Sequence, residues 1–567
     1  MSTDLLGRAL AAALRDAPGP NARRWLARAA GWDGPLPEPA ATDLDALLDQ
    51  MWRVRGKAGR RALGQVFTPR DVARQVLLET PGADRGGLLD PACGGGVFLA
   101  EAAELRAERW TGPGLGPALL ADLHGVDLDP DAARLARLLL AHVVVRRDPD
   151  AEGACAGWPL PSVVCADATD PAVAERFTGR ITSVVGNPPY REAKGMPRAE
   201  RERLRRRFGV DRAFDLYLCF VVLGLELVGP GGAVAYVLPN KFLVARYAED
   251  LRRRLFAEGQ LHALLDLSEL DVFGGIGVYP VVVVLGPPRE RYKAVFAVRS
   301  DVPLGRAPLP GVEVGRWLAG LGSTWITVPP GPLAGLLQRV AGAFDPLGAQ
   351  VEVRSTCSFH ARGLREQFVG EVGLPYLGGR SFSRRNEIVP FGVRWEGHHL
   401  RYDEAALRAA GNPLPPLALF TRPKVVLCQH ARTPVGWFDA DGVYVTKDVY
   451  PVAAARDADP RRTAAFAALL NSRVFAVLYA LMYRGIAIGS GYLHFLPAFL
   501  HAVPAPPLEP ALGDAVVALQ AAPTRAAVEA LDRAVAAAYG LTEDEADAVR
   551  AFADHALGFA PDPLARR

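Results

Sequence analysis

Leu88-Leu89-Asp90-Pro91-Ala92-Cys93-Gly94-Gly95-Gly96-Val97-Phe98-Leu99-Ala100-Glu101 reads as a short apolar strand, a glycine turn and the start of a helix. Glycines let the backbone pass close to a ligand that a Cβ would exclude. The spacing is not the G-x-G-x-x-G of dinucleotide sites, and an Asp four residues ahead of the first glycine suits a cationic ligand better than a pyrophosphate. A second apolar run ends in Val126-Asp127-Leu128-Asp129, where a carboxylate suits ribose hydroxyls. A third ends in Val164-Cys165-Ala166-Asp167, where it suits an adenine amino group. Each Asp alone reads more readily as a helix cap or turn residue. Three strand ends in succession favour a site for an adenosine bearing positive charge.

Outward from this turn, short apolar runs alternate with longer amphipathic stretches. The runs are Leu88-Leu89, Leu123 to Val126, Val163 to Cys165, Ile181 to Val185, Ala233 to Leu238, Ala263 to Leu267 and Val281 to Leu285. The alternation predicts an α/β, doubly wound, Rossmann-like sheet over 63–296, with ligands at the carboxyl ends of its strands. Residues 1–62 carry helical spacing and read as a helical extension, and 297–345, rich in Pro and Gly, reads as a linker. Residues 346–510 form a second, α+β unit, with strands at Lys424 to Leu427 and Val443 to Val445 and helical spacing over Thr463 to Tyr483. Residues 511–567, with the acidic run Glu543 to Asp547, read as a helical tail.

The second decisive stretch is Ile181-Thr182-Ser183-Val184-Val185-Gly186-Asn187-Pro188-Pro189-Tyr190. A buried strand runs into two prolines, which stop the sheet ladder and fix the backbone after Asn187. The turn offers the Asn187 amide, the carbonyl of Pro188 and the ring of Tyr190. Two acceptors and a stacking plane match an exocyclic amine on a planar ring. The bland reading is an ordinary Pro-Pro turn, and the glycine turn upstream argues against it.

A chain of 567 residues, half of them apolar and 22% charged, excludes wholesale disorder and suggests two or three domains. No uninterrupted apolar run of about 18 residues is present, and the most apolar stretch, Leu216 to Val228, is broken by Glu226. With no signal-peptide pattern at the N-terminus, a cytoplasmic location is expected, with no membrane partner. The six cysteines are spaced too widely for a zinc site or a disulfide framework and are expected to be small buried hydrophobes. The formal charge of +3 does not by itself suggest nucleic acid, and the scarcity of lysine, six among 65 basic residues, fits a compositional bias better than selection for phosphate binding. Its distribution says more. Residues 346–510 hold 18 Lys+Arg against 13 Asp+Glu, and 511–567 hold 5 against 9, making the middle segment a candidate polyanion-binding face.

These motifs, in this order, resemble the gamma-class S-adenosyl-L-methionine-dependent DNA adenine-N6 methyltransferases of the TaqI and Eco57I groups. There D-P-x-C-G-x-G-x-F precedes N-P-P-Y/F and a target-recognition domain comes last. Gln65-Val66-Phe67-Thr68-Pro69 resembles the family motif that helps hold the methionine part of the cofactor. From first principles it is also a helix start, with Thr68 as cap and Pro69 at the first helical position. The resemblance implies that Thr68, Asp90, Ala92, Gly94 and Gly96 face the methionine moiety. It also implies that Asp127 takes the ribose hydroxyls, Leu128 packs on the adenine, Asp167 accepts from its amine and Asn187 borders the cofactor as well as the target. Asn187, Pro188, Pro189 and Tyr190 become the catalytic turn. Phe214-Asp215-Leu216-Tyr217 and Pro239-Asn240-Lys241-Phe242-Leu243 resemble the motifs that follow, and Phe273 closes the other side of the base pocket, with Tyr279 an alternative.

The resemblance further implies double-stranded DNA as partner, an adenine flipped out of the helix, direct methyl transfer with no metal, nucleoid association, and a cognate restriction endonuclease or other defence-system subunit. Thr421 to Val426 and Val443 to Tyr450 resemble recognition-domain strands, while Val353 to Phe368 lacks the Gly-rich signature near that domain's start. Arg380, Arg384, Arg385, Arg422, Lys424 and Arg432 are the candidate DNA contacts. The sequence leaves three other readings. One is an RNA or protein-glutamine methyltransferase, against which the long C-terminal unit argues. Another is the methylase part of a fused restriction enzyme, against which the lack of a P-D…(D/E)-x-K pattern argues. The last is a DNA-binding protein with a dead site, against which the intact Asp90, Gly94, Asn187 and Tyr190 argue.

Overall fold

Strands covered on both faces show unbroken rather than alternating burial, and β1 (Leu88–Asp90), β2 (Leu123–Asp127), β6 (Leu261–Asp266) and β7 (Pro280–Leu285) are buried throughout. Between them run β3 (Ser162–Cys165), β4 (Ile181–Gly186) and β5 (Val228–Pro239). With β8 (Arg291–Val295) and β9 (Val312–Gly315) they form one nine-stranded sheet of order β3-β2-β1-β4-β5-β7-β6-β8-β9. Strands β1 to β5 are parallel, and β7 runs antiparallel between β5 and β6. The order reverses between β1 and β4, which opens a crevice at their carboxyl ends. The computed structural model describes residues 3–40, 44, 68–211, 213–267, 270, 279–295, 303–309, 312–315, 325, 331–356, 369–377, 388–395, 397–409, 417–446, 451–483 and 492–559.

The chain divides into two compact units, 1–316 and 317–567. In the first, α1 (Thr3–Arg15) and α2 (Pro20–Ala30) are not a free extension. They share one apolar core with α3 (Arg70–Glu79), α4 (Val97–Arg109) and α5 (Pro130–Arg147), in which Trp25 meets Trp158 edge-on at 5.6 Å. The Glu152 carboxylate accepts the Asn21 and Ala22 N–H groups, both at 3.0 Å, satisfying donors that the first turn of α2 leaves free. Two further helices, α6 (Arg198–Phe208) and α7 (Tyr217–Leu227), follow β4. The apolar stretch that Glu226 interrupts is α7, and it is largely buried. No single described helix is long and apolar enough to cross a membrane.

The stretch 297–345 is not simply a linker. It supplies β9 to the first unit, and its Gly305 and Leu309 N–H groups are accepted by Gln75 and Glu79 of α3. To the second unit it supplies α8 (Pro332–Ala343), whose Leu336, Leu337 and Val340 are buried.

The second unit is built on an antiparallel sheet of order β10-β13-β11-β12, from β10 (Val351–Arg354), β11 (Lys424–Leu427), β12 (Gly436–Asp439) and β13 (Val452–Ala455). The helical spacing over Thr463 to Tyr483 resolves into α9 (Pro460–Leu470) and α10 (Arg473–Tyr483), bent by 68°. Asn471, at the bend, turns its amide to the Gly436 backbone, accepting from the N–H at 3.1 Å and donating to the C=O at 2.8 Å. The expected tail is an integral part of this unit: α11 (Pro510–Ala521), α12 (Arg525–Ala538) and α13 (Glu543–Ala551). Gly513 of α11 crosses α9 so closely that a Cβ would lie 1.9 Å from the Arg461 carbonyl oxygen. Acidic residues of this tail pair with arginines elsewhere in the unit. Arg473 meets Asp532 at 2.9 Å and Asp554 at 3.0 Å, Arg339 meets Glu545 at 2.5 Å, and Arg461 pairs with Asp514. Thr542 and Glu545 also form a reciprocal capping box at the start of α13, where the helix dipole favours acidic side chains.

Candidate active site

Asp90 ends β1 and is 1% exposed. It accepts the Ala92 N–H at 3.0 Å and meets no basic side chain in a salt bridge among the described residues. Burial, then the nearby Asp127 charge, outweigh that hydrogen bond and push its pKa up to about 8. The glycine turn swings over it. Gly94 has φ +52°, and a Cβ there would meet nothing within 4 Å, so its bare side faces open space. Gly96 has φ +87°, and a Cβ there would meet Ala136 of α5 at 2.8 Å. The first glycine thus leaves room, while the last lets the start of α4 pack down. Asp127 at the end of β2 ties the turn in place, accepting the Gly94 N–H on Oδ2 and the Asp129 N–H on Oδ1, both at 2.8 Å. Asp129, by contrast, is the cap of α5. Leu128 projects outward, 67% exposed.

Asp167, just past β3, holds Thr169 through both its N–H (2.9 Å) and its hydroxyl (2.6 Å) and accepts Arg203 of α6 on Oδ2 at 2.9 Å. Arg203 lies 36 residues from Asp167 in the chain, and only the fold brings the two together. Cys165 is exposed, unlike the other described cysteines, because β3 is the edge strand.

At the end of β4 the chain passes Asp90 so closely that only glycine fits. Gly186 has φ +153°, and a Cβ there would lie 2.6 Å from Asp90 Oδ1. Asn187 follows, and its Nδ2 donates to Thr68 Oγ1 at 3.0 Å. This corrects the reading of Thr68 as a helix cap. Helix α3 begins at Arg70 with Pro69 as the flanking residue, and no side chain caps it. Thr68 is buried and turned toward Asn187 instead of its own helix.

Pro188 is buried, Pro189 half-buried, and the Tyr190 hydroxyl donates to the Val237 carbonyl of β5 at 3.1 Å. Burial first, then the Asp215 charge, raise the Tyr190 phenol well above its ordinary value, so it serves as a neutral ring rather than a base. The turn's exit is clamped to the Phe214-to-Tyr217 motif: Leu216 N–H donates to Arg191 at 2.9 Å and Ala193 N–H to Phe214 at 2.8 Å. The Tyr217 ring meets Tyr190 edge-on at 6.1 Å. Lys241 Nζ lies 2.7 Å from buried Asp215, whose pKa burial raises against the pull of that lysine. Sequence reasoning misses the roles of Gly186, Asp215 and Lys241, because their partners are distant in the chain. Phe273 lies outside the described residues; Tyr279 is half-buried, its carbonyl accepting the Asn240 N–H at 2.7 Å.

The residues fit a cationic adenosine cofactor: an unneutralised buried carboxylate, a glycine turn open on one side and two further carboxylates at neighbouring strand ends. A family model described as Eco57I restriction-modification methylase matches residues 121–273, which include the Asn-Pro-Pro-Tyr turn. Residues 121–273 form a restriction-modification methylase domain of the Eco57I type.

Two curated relatives of the chain are type II methyltransferases. The type II methyltransferase M.XhoI of Xanthomonas vasicola is 30% identical over 231 residues, 40% of each chain. M.PaeR7I of Pseudomonas aeruginosa, another type II methyltransferase, is 23% identical over 87% of this chain and 94% of its own. The chain thus spans less than half of the first relative and nearly all of the second. In fold, it resembles the type IIL restriction-modification enzyme MmeI, solved in complex with DNA, with TM-score 0.58 at 13% identity, covering 93% of this chain and 85% of that one. The DrdV–DNA complex gives TM-score 0.50 at 14% identity, covering 84% and 59%.

Of the candidate DNA contacts beyond the methylase domain, Arg380, Arg384 and Arg385 lie outside the described residues. Arg422 is half-buried and Arg432 exposed. Lys424 is not a surface cation. It is 1% exposed, because the register of β11 on β12 places it opposite Asp439, with which it forms a buried ion pair. Its Nζ also donates to the Phe420 carbonyl at 2.7 Å.

Proposed function

We propose that the chain methylates N6 of adenine in duplex DNA within a restriction-modification system, with S-adenosyl-L-methionine as methyl donor. The observation that carries this reading is the Asn187 amide at the end of β4, pinned through its nitrogen by Thr68 beside the buried Asp90 carboxylate. When bound, the cofactor supplies a methyl group on a positively charged sulfur.

The chain's own residues do the rest. Asp90 offers negative charge to that cation, and the open side of Gly94 admits it. Asp127 and Asp167 present carboxylates toward its adenosine, and Leu128 offers an apolar cover. Tyr190 stacks on an adenine turned out of the duplex, returning roughly 1–3 kcal/mol of the few that unstacking costs. The Asn187 side-chain oxygen and the Pro188 carbonyl accept the two N6 hydrogens, orienting the nitrogen lone pair and stabilising charge that develops there.

The test is transfer of labelled methyl to duplex DNA, RNA and protein offered side by side, with single-molecule sequencing of DNA from cells expressing this chain alone. Label in DNA with modified adenine is expected; label only in RNA or protein overturns the reading.

A further inference from the structure

Six of the eleven residues of α6 are arginine, and its faces do different things. Leu204 and Phe208, four apart, are buried. Beside them Arg203 is held by Asp167, and Arg207 makes two bonds to Glu226 of α7, at 3.0 and 2.6 Å. These contacts neutralise two guanidiniums and fasten the helix to the methylase unit.

The other face is neutralised only in part. Arg198, Arg201, Arg205 and Arg206, with Glu202, line a surface depression of about 640 Å³. Their spacing stacks them along one side of the helix. Arg205 pairs with Glu202 at 2.8 Å. Among the described residues Arg198, Arg201 and Arg206 have no carboxylate within salt-bridge range. Like charges at this spacing are mildly destabilising in an isolated helix, so the arrangement favours an external anion. Guanidinium forks suit phosphate oxygens.

Position says which phosphate. Arg191, next after Tyr190, bonds both carboxylate oxygens of Glu200 in the first turn of α6, at 3.0 and 3.2 Å. The arginine face is therefore fixed to the turn that would receive the target base. Phosphate contacts fix the register and orientation of a duplex on its protein, which places a base to be turned out over its pocket.

We infer that Arg198, Arg201 and Arg206 of α6 grip the phosphate backbone of duplex DNA beside the target adenine. This rests on the function proposed above, and it places a DNA contact within the methylase unit, apart from the basic segment 346–510.

The test uses the full chain, a random-sequence duplex, and the triple variant Arg198→Gln, Arg201→Gln, Arg206→Gln, with binding measured from about 50 to 200 mM NaCl. With three phosphate contacts removed, the slope of log affinity against log salt should fall by roughly 2 to 3, with affinity at least about tenfold lower. S-adenosylmethionine binding by calorimetry stays at the wild-type value. Lysine at the same three positions should restore the slope, since it keeps the charge. A glutamine variant that folds normally yet matches wild type in slope and affinity overturns the inference while leaving the methylase reading intact. A wild-type chain that neither binds nor methylates duplex DNA overturns both.

Discussion

Thr68 Oγ1 accepts a hydrogen bond from Asn187 Nδ2 at 3.0 Å, joining two residues 119 positions apart. With its nitrogen engaged, the amide turns its oxygen away from Thr68, which is the orientation an acceptor for the target amine needs. Thr68→Val keeps the shape but removes the acceptor, and should lower kcat about tenfold, the equivalent of one modest hydrogen bond. Thr68→Ser should keep most of the activity. Asn187→Ala should abolish methylation while calorimetry still registers cofactor binding. Full activity in that alanine variant would sink the assignment.

On the proposed function, Asp90 should make cofactor binding pH-dependent. Its folded pKa of about 8 stands above the ordinary 3.8, so between those values the folded chain keeps a proton that the unfolded chain has released. Stability should therefore decline as pH rises through this window and level off above about 8. A cation bound against the carboxylate favours its ionised form, so binding should expel a proton and tighten up to about tenfold per pH unit below 8. Calorimetry from about pH 6.5 to 8.5, in buffers of different ionisation heat, reads both effects. Asp90→Asn should flatten the profile, and a flat wild-type profile would remove Asp90 from the cation site.

Two glycines of the site should respond differently to alanine. At Gly186 a Cβ would lie 2.6 Å from Asp90 Oδ1 at φ +153°, so Gly186→Ala should cost about 2 kcal/mol or more of stability and disturb the catalytic turn. At Gly94 the Cβ has open space but φ is +52°, so Gly94→Ala should cost about 1 kcal/mol and mainly weaken cofactor binding. Urea unfolding paired with calorimetry separates the two. Equal cofactor affinity in Gly94→Ala and wild type would mean that the open face is not the ligand side.

Lys424 should behave as a structural residue. Lys424→Met strands the buried Asp439 carboxylate and should cost about 3–5 kcal/mol in chemical denaturation. Arg432→Gln, at an exposed position, should stay within about 0.5 kcal/mol. Wild-type stability in Lys424→Met together with weakened DNA binding would restore Lys424 to the DNA-facing surface.

The amino-acid order alone carried the central sheet and the catalytic turn. Strands are recognisable from apolar runs of a few residues, and the breaks at Gly94 to Gly96 and at Pro188-Pro189 are local steric facts that need no partner. So the Leu88 to Glu101 stretch and the Asn187 turn were legible without tertiary contacts. What depends on distant residues was not. Thr68 read as a cap because a hydroxyl ahead of a helix usually bonds that helix, yet Asn187 engages it. Lys424 read as a surface cation because a lone lysine beside a strand usually is one, yet strand register sets Asp439 against it. The acidic end read as a separate tail because local charge has no address until Arg473 and Arg339 are placed in space. Sequence determined where the backbone could extend, turn and admit a ligand. Tertiary structure decided which charges are neutralised and which remain to bind, because pairing and burial depend on neighbours that chain distance does not encode.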